Sequence, residues 1–307
     1  MSKYLATGRP YKDEGTGVVM SDLACLLRHS LILNRKPVFC KDDLNIASQE
    51  WKAYDIDFVD VFPNISKFFE VFNTRGELIE LVGHHPTFIN TDLRRFTLHD
   101  LSQMYNDNTI VDRDGGLLKD KKFVSWFYLL HESLIQSESQ VVQHLFQFNS
   151  SLDEECDSII EKNKGDVTVG LSLRLEYLFR HTERHICNPK WWEDAVEIVQ
   201  EKVGQDKKFK FLIFADYPDK VGGFFSDSEY FKKADKYLMK PRNAVEGMCL
   251  LSKCDHQIVS NTSFGFWGAA LNKSSKKIVV VPSTFHVSWP YSNLYNGTWG
   301  ADGWNYL

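Results

Sequence analysis

The sequence has no basic surplus, no long apolar run and no paired cysteines, and each absence removes a class of function. Lys and Arg number 36 against 41 Asp and Glu, a net charge of −5. Such a chain has no general excess of cations to neutralise a phosphate backbone, so nucleic acid is excluded as a general partner. No segment approaches the ~18 consecutive apolar residues of a membrane-crossing helix. The opening MSKYLATGRPYKDEGTG also lacks the apolar core of a secretory signal. The six cysteines (Cys25, Cys40, Cys156, Cys187, Cys249 and Cys254) are scattered, without Cys-x-x-Cys pairs or metal-ligand spacing. They read as reduced, mostly buried thiols of a cytoplasmic protein. The Asn-x-Ser/Thr triplets at Asn64 and Asn149 are then chance matches. No internal repeat at solenoid periods is present.

What is present is enough to fold. The chain is 307 residues long with 43% apolar residues, which fills the core of two ordinary domains or one large α/β domain. KYLATG, the glycine-containing loop RPYKDEGTG, VVMSDLACLLRHSLILN and RKPVFC read as strand, loop, helix and strand, a βαβ opening. The signal from Lys41 to about Asn108 is mixed. KKFVSWFYLLHESLIQSESQVVQHLFQFNSSL has a helical pattern, and the polar stretch DEECDSIIEKNKGD reads as a solvated helix start and linker. A second alternation follows: VTVGLSLRL, NPKWWEDAVEIVQEKV, KFKFLIFAD, VEGMCLLSKC, DHQIVS, SFGFWGAALN and KKIVVVP. Strands and helices at this pace predict a parallel, doubly wound sheet. The expected units are residues 1–160 and 161–307.

Ligands of such sheets bind where the C-terminal ends of strands meet loops. Three polar clusters fall at those places: SLRLEY after VTVGL, ADYPDK after FKFLIF, and SNTS after HQIV. The last precedes a helix. Asn261, Thr262 and Ser263 suit the capping of its first N–H groups, and the same N–H groups with the helix dipole suit a phosphate.

The segment LLSKCDHQIVSNTSFGFWGAALN resembles the most distinctive stretch of the α-1,2-fucosyltransferases, glycosyltransferase family 11. That family shows Leu-Met-Ser-x-Cys-x-His, an apolar strand, then Ser-Asn-Ser-Thr-Phe-Ser-Trp-Trp-Gly-Ala. Leu250, Ser252, Cys254 and His256 match the first part, and Ser260, Asn261, Phe264, Trp267, Gly268 and Ala269 the second. Thr262-Ser263 inverts the Ser-Thr order, and Gly265-Phe266 stands for Ser-Trp. EGTGVVMSDLACLL is similar to the family's N-terminal glycine loop and helix, keeping Gly15 and Gly17 but carrying Val18-Val19 where the family has Asn-Gln. FLIFADYP is similar to the Phe-x-Ser-Asp-Asp strand end and keeps Phe214 and Asp216. The likeness covers the second half well, the first forty residues moderately, and Lys41 to Gly165 hardly at all. One motif departs. Where the family has His-x-Arg-Arg-x-Asp, this chain has Ser172, Arg174 and Leu175, and a one-residue deletion sets Glu176 under the aspartate. One cation is thus missing from its expected place. Either Arg180 or Arg184 supplies it, or the activity is altered.

The resemblance implies a GT-B architecture of two Rossmann-like domains facing a cleft, with the sugar nucleotide mainly on the C-terminal one. It implies an inverting, metal-independent transfer of L-fucose from GDP-fucose to a hydroxyl of an oligosaccharide or glycan acceptor. GDP-fucose is then a co-substrate, and no separate cofactor is called for. Arg174 is the implied grip on the diphosphate, its alternative being a salt bridge to Glu176. Gly15, Gly17, Ser172, Asp216, Asn261, Thr262, Ser263 and Phe264 complete the implied donor-binding set. Asp216 stands either for a guanosine ligand or for a turn cap, and Phe264 and Trp267 also read as core residues. For the catalytic base the candidates are Glu183 and Glu176. Glu176 lies two residues from Arg174, close enough to pair with it, so Glu183 is read as base and Glu176 as orienter. His256 starts a strand, away from its C-terminal end, and reads as structural. Two other readings stay open: another GDP-deoxyhexose such as GDP-rhamnose as donor, and a relative that binds nucleotide or glycan without catalysis.

Overall fold

A computed structural model describes residues 3–7, 15–32, 34–44, 57–84, 87–88, 123–126, 139–178, 180, 187–283 and 303–307. The chain divides into two compact units, Met1–Asn149 and Ser150–Leu307.

The first unit carries a parallel five-stranded sheet in the order β3-β2-β1-β5-β4. Its strands are β1 (Tyr4–Thr7), β2 (Lys36–Cys40), β3 (Glu70–Phe72), β4 (Thr87–Phe88) and β5 (Phe123–Trp126). Helix α1 (Thr16–Ile32) connects β1 to β2 as its apolar spacing requires, burying Val19, Met20, Leu23, Leu26 and Leu27. The short helices α2 (Phe58–Val61) and α3 (Ile65–Phe68) follow, then α4 (Arg75–Val82). Thr74 caps α4 by accepting from the Glu77 N–H at 3.1 Å, and Gly83 ends it in the left-handed region at φ 76°. The helix α5 (Ser139–Leu145) lies where a helical pattern is expected, but the start of the same stretch is a strand. Residues Phe123–Trp126 pair along their length with β1, Leu5 opposite Val124, and the pairing overrides the local helical pattern.

The second unit is a parallel six-stranded sheet in the order β11-β10-β9-β6-β7-β8. Its strands are β6 (Val167–Leu173), β7 (Phe209–Ala215), β8 (Lys236–Leu238), β9 (His256–Val259), β10 (Val279–Val281) and β11 (Asn305–Tyr306). Its helices are α6 (Ser150–Lys162), α7 (Pro189–Val203), α8 (Val221–Phe224), α9 (Glu229–Lys233), α10 (Ala244–Ser252) and α11 (Ser263–Ala270). The stretch expected to link the halves runs through α6, so residue 160 lies inside a helix of this unit. That helix buries Cys156 and Ile160, and its Asp153 and Asp157 pair with Lys253 at 2.8 and 2.9 Å.

Every residue of β6 is buried, as a strand covered on both faces must be. On α7, Asn188 caps the first turn and Pro189 opens it, and Trp192, Ala195, Val196 and Val199 form the inward stripe. The short strands β8 and β11 have no counterpart in the sequence reading. Strand β8 is an edge strand with Lys236 and Tyr237 exposed, and β11 is a two-residue parallel addition beside β10. His256 is structural: its Nδ1 accepts from the Ile278 N–H at 3.0 Å, and burial pushes the imidazole below its usual pKa, keeping that acceptor neutral. Lys277 closes α11 by donating to the Ala269 and Asn272 carbonyls at 2.7 and 2.6 Å, and burial lowers it to about 8.

The packing of α10 and α11 against β6 turns on Leu251, which is fully buried. A Cβ on Gly170 of β6 would meet Leu251 Cδ1 at 2.5 Å and Cys254 Sγ at 3.0 Å. A Cβ on Gly268 of α11 would meet the same leucine, with Cγ at 2.8 Å and Cβ at 3.1 Å. Two glycines thus make room for one side chain, and α11 lies close to the sheet because of it. Gly268→Ala should therefore destabilise the second unit by about 1–3 kcal/mol through overpacking, despite a helix preference for Ala of about 1 kcal/mol. Thermal unfolding of the variant checks this, and a melting point equal to that of the unmodified chain would contradict it.

Candidate active site

The register of the second sheet decides which side chains share its C-terminal edge. Leu173 of β6 pairs with Ala215 of β7, and Ser172 of β6 with Val259 of β9. The residues that follow these strand ends, Arg174, Asp216 and Ser260, therefore emerge side by side. The Ser260 N–H continues the ladder to the Ser172 carbonyl at 3.0 Å.

At this edge Asp216 is the organising group. Its Oδ1 accepts from the N–H groups of Leu175 (2.7 Å) and Tyr217 (3.1 Å), and its Oδ2 accepts from the Glu176 N–H (3.0 Å). Arg174 Nε lies 3.4 Å from the same Oδ2. The carboxylate is only 5% exposed. Burial pushes its pKa up, while the Arg174 guanidinium and the backbone N–H groups pull it back. It receives the N–H groups that open the 3₁₀ turn Leu175–Leu178 and so ties the end of β7 to the segment that carries Arg174.

Arg174 is in turn held by Glu176, whose Oε2 accepts from its Nη2. The other oxygen of Glu176 takes Arg180 Nη1 at 3.4 Å, and the Arg180 N–H donates to the Glu176 carbonyl at 2.9 Å. Arg174 is thus ion-paired to Glu176, one of its two expected roles, and it stands directly after the C-terminal end of β6. Its side chain is 27% exposed against 13% for Glu176, so the guanidinium faces outward more than its partner does.

Beside this turn lies the N-terminus of α11. Thr262 is its cap, the hydroxyl accepting from the Gly265 N–H at 3.1 Å. The N–H groups of Ser263 and Phe264 precede that bond in the open first turn, where no intrahelical acceptor exists. A Cβ on Gly265 would stand 2.9 Å from Val259 Cβ and 3.1 Å from Ser172 Oγ, so the turn rests directly on the strand ends.

The remaining expected residues fall in several places. Ser172 is buried beneath Gly265. Asn261 is 1% exposed, with its backbone N–H at the Cys187 sulfur. Phe264 is half-buried against Gly247 of α10, where an added Cβ would meet its ring at 3.1 Å. Ser260 Oγ is buried without a hydrogen-bond partner. Gly15 and Gly17 open α1 of the first unit, the Gly15 carbonyl accepting from the Val18 N–H at 2.9 Å. Glu183 and Arg184 lie outside the described residues. Among the described residues no three His, Cys, Asp or Glu side chains are placed to hold a metal ion, and no helix is long and apolar enough to cross a membrane. Asp216 does cap a turn, one of its two expected roles, but sequence reasoning missed first that the turn is the one after β6 and second that Arg180 converges on Glu176. The i, i+4 spacing of Glu176 and Arg180 is the one signal for the second.

Comparison with known proteins gives the family and the fold. The family described as Glycosyl transferase family 11 matches residues 119–306. The O-antigen biosynthesis glycosyltransferase WbnK of Escherichia coli is 25% identical over 189 residues, 56% of this chain. That match spans 58% of the relative's length. Among solved structures, NodZ α-1,6-fucosyltransferase co-crystallised with GDP superposes with a TM-score of 0.53 at 11% identity, covering 88% of this chain and 92% of that one. POFUT1 in complex with GDP gives 0.52 at 12% identity, covering 91% and 98%. These likenesses establish the fold, an α/β chain of the GT-B type with parallel sheets.

If Asp216 organises the turn, Asp216→Ala leaves the Leu175 and Glu176 N–H groups without their acceptor and should cost about 1–3 kcal/mol of stability. Asp216→Asn should rescue little, because its amide turns a donor toward N–H groups or the guanidinium. Urea unfolding together with hydrogen exchange at Leu175 and Glu176 measures this. Unchanged exchange at both amides in Asp216→Ala would refute the clamp.

Proposed function

The chain belongs to glycosyl transferase family 11, and on that premise we propose that it transfers L-fucose from GDP-fucose, with inversion, to a hydroxyl of a glycan acceptor. The observation that carries the reading is the pairing of a fixed, outward-facing guanidinium, Arg174, with the open N-terminus of α11 at one sheet edge. That combination suits a diphosphate. The fold-level likeness to NodZ and POFUT1, both solved with GDP, supports GDP as the nucleotide. The name of WbnK, an O-antigen glycosyltransferase, supports a glycan as acceptor.

In this mechanism the acceptor oxygen bonds to the anomeric carbon of the sugar as the bond from that carbon to the diphosphate oxygen breaks, and negative charge grows on the terminal phosphate of the departing GDP. Arg174 binds that phosphate through its planar fork, and the Ser263 and Phe264 N–H groups donate to it from the positive end of α11. These donors are already in place before reaction, so little reorganisation opposes the transition state. Their charge takes the place that a metal holds in other transferases, and no cofactor enters beyond the co-substrate GDP-fucose. Asp216 acts on the turn that carries Arg174 rather than on the nucleoside, since backbone N–H groups and the arginine already engage both its oxygens. Glu176 orients Arg174, and each of its two oxygens is engaged by a guanidinium group, Arg174 on one and Arg180 on the other. The proton of the acceptor hydroxyl is therefore assigned to Glu183. The donor is assigned to the second unit, which holds Arg174 and α11, and acceptor choice to the first.

Arg174→Ala should lower transfer from GDP-fucose by about 10²-fold or more, and Arg174→Lys should keep only a small part, because an ammonium cannot reproduce the bidentate grip. Steady-state kinetics with a panel of glycan acceptors tests this. A near-unchanged kcat in correctly folded Arg174→Ala would overturn the diphosphate role. Turnover of GDP-rhamnose but not GDP-fucose would move the donor to another deoxyhexose, and GDP binding with no turnover of either would mark a non-catalytic relative.

A further inference from the structure

The strands of the second sheet pair in parallel, so they all start at one edge and end at the other. The C-terminal edge carries Arg174. The opposite edge is made by the segments that lead into the strands: 161–166 into β6, 204–208 into β7, 232–236 into β8, 253–255 into β9 and 272–278 into β10. The register brings these starts together. Val167 lies opposite Phe209, Phe211 opposite Lys236, Val169 opposite His256 and Val279 opposite Gln257. The five segments hold 26 residues, of which eleven are Lys and five are Asp or Glu. The rest of the chain is left with 25 Lys and Arg against 36 Asp and Glu. Positive charge thus gathers at one end of an acidic protein, and such a distribution orients the molecule in the field of an anionic partner.

Nine of the eleven lysines are exposed. The other two are engaged elsewhere: Lys277 closes α11, and Lys253 pairs with Asp153 and Asp157. Ion pairs of the exposed ones, such as Lys164 with Glu161 at 3.4 Å and Lys232 with Glu229 at 2.7 Å, lie at the surface, where pairing is weak. The type of cation points to the partner. The five segments contain no arginine and no aromatic residue. Nucleic-acid recognition draws on arginine forks and on rings that stack with bases. Lysine ammonium groups are hydrated point charges, suited to a diffuse layer of negative charge. They are spread over five neighbouring strands in the order β10-β9-β6-β7-β8. At the usual strand spacing that edge is about 20 Å wide. A lipid headgroup layer presents negative charge over that breadth, and each lysine near it adds to the attraction.

We propose that this end of the second unit docks on an anionic membrane surface as a peripheral contact. The proposal does not depend on the identity of the donor. The Arg174 edge lies at the other end of the strands and stays open to solution.

Co-sedimentation of the full chain with vesicles tests the proposal, using phosphatidylcholine alone and phosphatidylcholine mixed with phosphatidylglycerol. At low ionic strength the chain should sediment with the mixed vesicles and not with the neutral ones, and about 1 M salt should release it. The triple variant Lys207→Gln, Lys208→Gln, Lys276→Gln should partition about 100-fold more weakly. A matched variant at the opposite end of the strands, Lys190→Gln, Lys220→Gln, Lys240→Gln, loses the same charge and should keep most of its partitioning. All six side chains are exposed, and unfolding midpoints verify that both variants are folded. No sedimentation with the mixed vesicles would overturn the proposal, and so would full partitioning of the first variant. Equal losses in the two variants would do the same, because net charge and not this face would then be the cause. Binding to duplex DNA or to polyglutamate without binding to vesicles would assign the face to another anionic macromolecule, against the proposal.

Discussion

The candidate site depends on one buried carboxylate. Asp216 joins the end of β7 to the turn after β6 by accepting from Leu175, Glu176 and Tyr217, with Arg174 on its flank. A carboxylate so placed is expensive to desolvate, and it is stable there because several donors converge on it. Everything outward of it follows in sequence. The turn positions Glu176, and Glu176 positions Arg174 on one oxygen and Arg180 on the other. Side-chain exposure rises along this set, from Asp216 through Glu176 to Arg174 and Arg180.

A second constraint places the helix that completes the site. Leu251 occupies the space left by Gly170 on the sheet and Gly268 on α11. Gly265 similarly lets the first turn of α11 rest on Val259 and Ser172. The N-terminus of this helix is held at the strand ends by packing against residues that have no side chain to yield. A phosphate-binding turn gains from such support, because donors that need not move cost nothing to arrange when charge develops.

Much of this was legible in the sequence, for physical reasons. The second sheet was readable because its strands are buried on both faces and stand out as apolar runs, as in VTVGLSL and FKFLIF. Arg174 was readable because a polar residue directly after such a run has to emerge at a strand end. The capping role of Thr262 followed from its place before the apolar helix. What escaped depended on long-range pairing. FVSW is a strand because β1 lies beside it, and NY joins the sheet because β10 does. The roles of Asp216 and Arg180 required knowing that Leu173 lies opposite Ala215 and that the turn brings residue 180 back over residue 176. Ser172, which stands where the family motif has a histidine, and Asn261, which matches the motif, are both buried, which their places in the sequence did not reveal.

The central claim is that the edge formed by Arg174 and the first turn of α11 holds the diphosphate of a sugar nucleotide. A crystal structure of the chain grown with GDP tests it most directly. The account predicts phosphate oxygens within hydrogen-bond distance of the Arg174 guanidinium and of the Ser263 or Phe264 N–H, with the Asp216 contacts to Leu175 and Glu176 intact. GDP bound with its phosphates away from both groups, or in direct contact with an Asp216 carboxylate released from those N–H groups, would contradict it.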